Sequence, residues 1–181
     1  SGACNIALGK NALGASTTGC NNVALGLTAL GGADTTGNDN IAIGNASADA
    51  LTSGACNIAL GQNALGAATD NCGNIAIGLQ ALAASVNDGD NNIAIGKTAM
   101  GGADVSGADN IALGTTSLDA LTTGRCNVAM GSDALGASTT GCFNIGIGNL
   151  ALGAADTTGI HNIGIGKTAG DAITSGYQNV M

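Results

Sequence analysis

Large aliphatic residues in this chain come in short bursts, each split by a small one: Ile6-Ala7-Leu8, Val23-Ala24-Leu25, Ile41-Ala42-Ile43 and so on to Ile163-Gly164-Ile165. Alternation with period two is the signature of a strand. Each burst follows an asparagine, and the series runs Asn5, Asn22, Asn40, Asn57, Asn74, Asn92, Asn110, Asn127, Asn144, Asn162 and Asn179. Neighbouring asparagines are 17 or 18 residues apart. A second apolar column, Leu13, Leu30, Ala48, Leu65, Leu82, Met100, Leu118, Leu135 and Leu152, follows each burst. A unit of this length is too short for a pair of helices and fits one turn of a stacked repeat. The pattern predicts an all-β fold: a parallel β-solenoid of ten 17–18-residue coils, with two short strands per coil. It reads as a single repeat domain over residues 1–181, uncapped at both ends. The large residues are expected inside. Ala7 and Ala12, with their counterparts in later coils, are expected outside as flat small-residue stripes.

The coils beginning at Asn22, Asn74, Asn92 and Asn144 carry one extra residue, always between the second apolar segment and the threonine that follows. Such an insertion is expected to be absorbed at a corner without shifting strand register. A glycine closes every burst, as at Gly9, Gly26 and Gly44, and predicts a turn with positive φ. The asparagines are expected to stack as an amide ladder along the axis.

Composition narrows the picture. Gly is 32 of 181 residues, aromatics are 1%, charged residues 9%, and Pro is absent. Hydrophobic content of 45% argues against disorder, and Gly lacks the every-third spacing of collagen. The net charge of −8 argues against nucleic-acid binding, which wants a basic stripe. No apolar run approaches the ~18 residues of a membrane span. The chain starts at Ser1 without Met, so a mature form or a fragment of a longer protein is expected.

Six cysteines fall in three pairs, each sixteen residues apart: Cys4 with Cys20, Cys56 with Cys72, and Cys126 with Cys142. One coil of travel brings each pair to nearly the same corner, so three disulfides between adjacent coils are expected. Paired cysteines suggest an oxidising, extracellular setting. Free thiols are the alternative. No Cys-x-x-Cys appears, and no metal or cofactor is expected. Asp39, Asp90 and Asp109 sit in turns and read as solvated. His161, the sole histidine, reads as an exposed turn residue.

A threonine column runs Thr17, Thr35, Thr52, Thr69, Thr122, Thr139, Thr157 and Thr174, interrupted at Asn87 and Val105. Flat threonine arrays on solenoids can order water, so this column is a candidate binding face for ice. The paired Thr-x-Thr ranks of many ice-binding solenoids are missing. Enzymes on solenoids use paired acids and aromatic sugar platforms, neither of which the sequence displays.

At Asn40–Gly44, Asn74–Gly78 and Asn92–Gly96 the segment Asn-Ile-Ala-Ile-Gly resembles the head repeats of trimeric autotransporter adhesins and the repeats of phage tail-fibre-like proteins. That resemblance implies a left-handed parallel β-roll, usually trimeric, serving as a surface-exposed shaft or adhesive head. The expected function is therefore a structural or adhesive segment of an extracellular, cell-surface or virion fibre, with no enzymatic activity. Its expected partners are copies of itself, as a homotrimer or head-to-tail fibre, and a cell-surface or glycan target. Ice binding through the Thr and Ala face is the alternative.

Overall fold

In a computed structural model, which describes residues 2–86 and 89–181, the chain is a parallel β-solenoid. Each coil contributes one three-residue strand: β1 (Ile6–Leu8), β2 (Val23–Leu25), β3 (Ile41–Ile43), β4 (Ile58–Leu60), β5 (Ile75–Ile77), β6 (Ile93–Ile95), β7 (Ile111–Leu113), β8 (Val128–Met130), β9 (Ile145–Ile147) and β10 (Ile163–Ile165). They pair in sequence order as one ten-stranded parallel sheet. Register is exact at every step, so Ile6 lies beside Val23 and Ile163 beside Ile145. The long coils keep it too, as β2 on β3 and β5 on β6 show. No helix among the described residues is long and apolar enough to cross a membrane.

The second apolar segment is not a strand. It is a chain of turns in which Leu13, Leu30, Ala48, Leu65, Leu82, Met100, Leu118, Leu135 and Leu152 hold φ between +48° and +51°. The left-handed region costs an L-residue roughly 1–2 kcal/mol. Stacking offsets that cost, because each such amide donates to the next coil, as Leu30 does to Ser47 at 3.0 Å. The turn also folds Leu30, Leu65, Leu82, Leu118, Leu135 and Leu152 fully inward, where they form the main aliphatic stack of the core.

The two faces of the strand are the reverse of those expected. Ala24, Ala42, Ala59, Ala76, Ala94, Ala112 and Ala129 are completely buried. So are Ala29, Ser47, Ala64, Ala81, Ala99, Ser117, Ala134 and Ala151. The aliphatic residues flanking the strand alanines face out and are half-buried or exposed. The cause is the width of the coil. A Cβ built on Gly146, the strand centre of β9, would stand 2.9 Å from the Ala151 carbonyl and 3.3 Å from Leu135 Cγ. The slot between strand and turn thus takes a methyl group at most. Period two identified two faces correctly, but in so narrow a coil size selects the small face as the inner one.

Asparagine completes the interior. Asn22, Asn40, Asn57, Asn74, Asn92, Asn110, Asn127, Asn144 and Asn162 are all buried. From Asn5 to Asn162, each side-chain carbonyl accepts the backbone amide of the next asparagine in the series, at 2.7–3.2 Å. Each Nδ2 donates to a carbonyl at the close of its own coil, such as Gly19 for Asn5 and Gly107 for Asn92. A buried polar group is costly unless bonded, and here each amide is used on both sides. The glycine after each strand has two reasons to be glycine. Its φ lies between +126° and +143°, and at Gly9 a Cβ would stand 2.3 Å from the Gly26 carbonyl.

Candidate functional site

With the small residues inside, the outer face of the sheet is a two-rank array of branched and linear aliphatics. One rank is the series that starts at Ile6 and ends at Ile163; the other starts at Leu8 and ends at Ile165. Leu8 is 72% exposed, Ile43 40% and Met130 39% in mid-array, so the face is open along its length. Nine inter-coil steps make it roughly 43 Å long, from a strand spacing of about 4.8 Å. Two ranks about 7 Å apart, with the width of their side chains, give roughly 450 Å² of flat apolar surface. A contiguous strip of this size compares with the largest apolar patch on an ordinary monomer, about 300–600 Å², and such patches are often functional.

The cysteines lie along a corner beside that face. Cys4, Cys56 and Cys126 occupy the position just before the ladder asparagine and carry left-handed backbone. Their partners sit one coil on and one position earlier. The amide of Ala3 donates to Cys20 Sγ at 3.3 Å, and that of Ala55 to Cys72 Sγ at 3.4 Å. The structure therefore brings the members of those two pairs to one corner of adjacent coils. All six cysteines are free thiols in it, and the three expected disulfides are not formed. Of the turn acids, Asp90 is engaged: its Oδ1 accepts the Cys72 amide at 2.7 Å, as Asn38 Oδ1 accepts that of Cys20, while Asp39 and Asp109 are exposed.

The threonines do not form one flat rank. Thr35 and Thr157, both in long coils, are fully buried, and their hydroxyls donate to the carbonyls of Leu51 and Ile173. In short coils the residue one place earlier, such as Leu51 or Leu121, points in. The extra residue thus leaves strand register intact but reverses the threonine. Thr52, Thr69 and Thr122 hydroxyls donate along the axis to the carbonyls of Thr69, Val86 and Thr139. Thr17 and Thr139 donate instead to the carboxylates of Asp34 and Asp156. Thr174 is exposed, and its carbonyl accepts from Thr158. Asn87 lies outside the described residues.

In the long coils that begin at Asn22 and Asn92, an aspartate of the following coil packs against a glycine. The Asp119 carboxyl packs against Gly102, where a Cβ would stand 2.7 Å from its oxygen. Burial pushes its pKa up, and the nearby Asp133 adds to the shift; the backbone amides of Gly102 and Gly101 oppose it. Asp49 sits against Gly32 in the same way.

Sequence reading missed one grouping. The ring of His161 stacks on Phe143, centroids 5.1 Å apart and 13° from parallel. Eighteen residues separate them, but both immediately precede a ladder asparagine. Writing the chain as aligned coils puts them in one column, and that was the available signal. No family model, curated protein or solved structure matches the chain.

Proposed function

We propose that the chain is a non-enzymatic structural or adhesive segment of an extracellular fibre, and that its copies associate laterally through the aliphatic face. The open two-rank strip of Ile, Leu, Val and Met carries this reading. A strip of roughly 450 Å² counted flat would supply about half of the roughly 800 Å² that each partner of a stable interface buries. Covering it at about 25 cal/mol per Å² supplies a driving force that the monomer leaves unused. Three such chains, each turning its sheet inward, would hide all three strips at once, so a homotrimer is the assembly proposed. In an oxidising setting the cysteine pairs would clip neighbouring coils. The alternative, ice binding through the threonines, would have to use a broken column: Thr35 and Thr157 are buried, several others donate to the next coil, and Thr174 is exposed.

Sedimentation velocity tests the proposal. The native chain is expected as trimers at micromolar concentration. Ile43→Ser with Ile95→Ser, both on the outer face, is expected to give folded monomers with an unchanged circular dichroism spectrum. Native chain that sediments as a monomer at high micromolar concentration would refute lateral association.

A further inference from the structure

The chain has one Arg, one His, one Phe and one Tyr. The fold collects all four on a single ridge. Arg125, Cys142, Ile160 and Tyr177 each lie two residues before a ladder asparagine. Cys126, Phe143, His161 and Gln178 each lie one before. Backbone contacts fix the order. The Phe143 amide donates to the Arg125 carbonyl, the His161 amide to that of Cys142, and the Gln178 amide to that of Ile160. Cys142 and Ile160 are bridged in parallel. From Arg125 to Tyr177 is three coil steps, roughly 14 Å.

These groups face solvent. Phe143 is 45% exposed and Tyr177 65%, and Arg125 and His161 are exposed as well. Nothing in the core requires them, because the interior is built from Leu, Ala and Asn. Earlier on the same ridge the equivalent positions hold Asn38, Asp39, Asp90 and Asp109. So the ridge changes character, from small and acidic to aromatic and hydrogen-bonding, over its last coils. Exposed aromatic rings beside an Arg are the composition of binding hot spots, since rings give rigid contact area and Arg a fork of donors.

We propose that this ridge, Arg125 with Phe143, Ile160, His161, Tyr177 and Gln178, is a binding site for a neutral oligosaccharide. The outer faces and edges of the stacked Phe143–His161 pair, with Tyr177 and Ile160, offer apolar surface to the C–H groups of pyranose rings. The guanidinium, imidazole, phenol and amide offer donors and acceptors to hydroxyls spread along 14 Å or so of chain. The net charge of −8 disfavours a polyanion. This deepens the adhesive part of the reading above and rests on it for the extracellular setting.

Isothermal titration of the intact chain with cellohexaose, maltohexaose and chitohexaose, with polygalacturonate as the acidic control, tests it. Binding of at least one neutral hexaose is expected. Phe143→Ala with Tyr177→Ala is expected to weaken it tenfold or more, and Arg125→Gln severalfold. Circular dichroism and the sedimentation profile should be unchanged in these variants. No heat with any neutral hexaose at 10 mM overturns the proposal, as does binding that the double variant leaves intact or preference for polygalacturonate. Sedimentation of the same samples keeps the outcomes separate: trimers without glycan binding sink this site alone, and monomers that bind glycan sink lateral association alone.

Discussion

The side-chain carbonyl of Asn92 accepts the backbone amide of Asn110 at 2.9 Å, while its Nδ2 donates to the Gly107 carbonyl at 2.9 Å. One buried side chain therefore ties the next coil on and closes its own. Asn92→Ala is expected to destabilise the fold by about 2–4 kcal/mol, because two buried backbone groups lose their partners. Asn92→Asp restores the acceptor but not the donor and buries a charge, so it is expected to cost at least as much at neutral pH. Chemical denaturation of the two variants beside the native chain checks both.

The inner and outer faces of β6 should respond oppositely to size. Ala94 is fully buried in a slot that takes a methyl group. Ala94→Val is expected to cost about 1–3 kcal/mol through overpacking. Ile93→Ala, one residue away on the outer face, is expected to leave monomer stability within about 1 kcal/mol, since its side chain is already partly in water. Thermal melts at low concentration, where association is suppressed, separate the two. A larger loss for Ile93→Ala would mean that the strand is turned the other way.

Asp119 sets a pH dependence of defined sign. Its folded-state pKa is raised by burial and by Asp133. Between the ordinary aspartate value and this raised one, the folded chain holds more protons than the unfolded one. Its contribution to stability therefore falls as pH rises through that window and recovers as pH drops. Asp119→Asn is expected to remove this contribution, so melting temperatures of variant and native chain should diverge on going from pH 4 to pH 7. Parallel melts across that range provide the measurement.

Thr28 holds φ +53°, a conformation unkind to a β-branched residue. Asn11 and Asn63 occupy the equivalent place in other coils at φ +59° and +56°. Thr28→Asn is expected to stabilise by roughly 0.5–1 kcal/mol, since Asn tolerates the left-handed region. A shift of the urea midpoint upward with an unchanged slope is the expected signature.

Oxidation should act on the cysteine corner without remodelling it, because Ala3 already stands on Cys20 and Ala55 on Cys72. Mild oxidation is expected to link Cys4 to Cys20, Cys56 to Cys72 and Cys126 to Cys142, and to raise stability by about 3 kcal/mol for each closed loop. Peptide mapping without reductant reads the pairing, and crossed pairs would count against the alignment of coils.

The repeat, the sheet order, the asparagine ladder and the place of the long-coil insertion were all legible in the sequence, because stacking forces each column to repeat. Which way the strand faces was not. The usual inference from large to buried assumes a core wide enough for Ile, and the width depends on how the Leu13-type turn folds back, which its alternation does not reveal. The threonine column failed for a related reason: Thr35 and Thr52 hold the same place relative to asparagine, yet one extra residue turns the first inward. The stack of Phe143 on His161 was missed because His161 was weighed alone in the chain rather than down a column.

The inversion of Ala and Ile also divides the thermodynamics of this molecule in an unusual way. The heat-capacity change that curves stability with temperature scales with apolar area taken from water. Coil closure hides mainly methyl groups, one Leu stack and hydrogen-bonded amides, while a large aliphatic area waits on the sheet. A single chain should thus unfold with a shallow, flat stability curve. Most of the curvature, and with it the sensitivity to cold, should belong to whatever surface finally covers the strip.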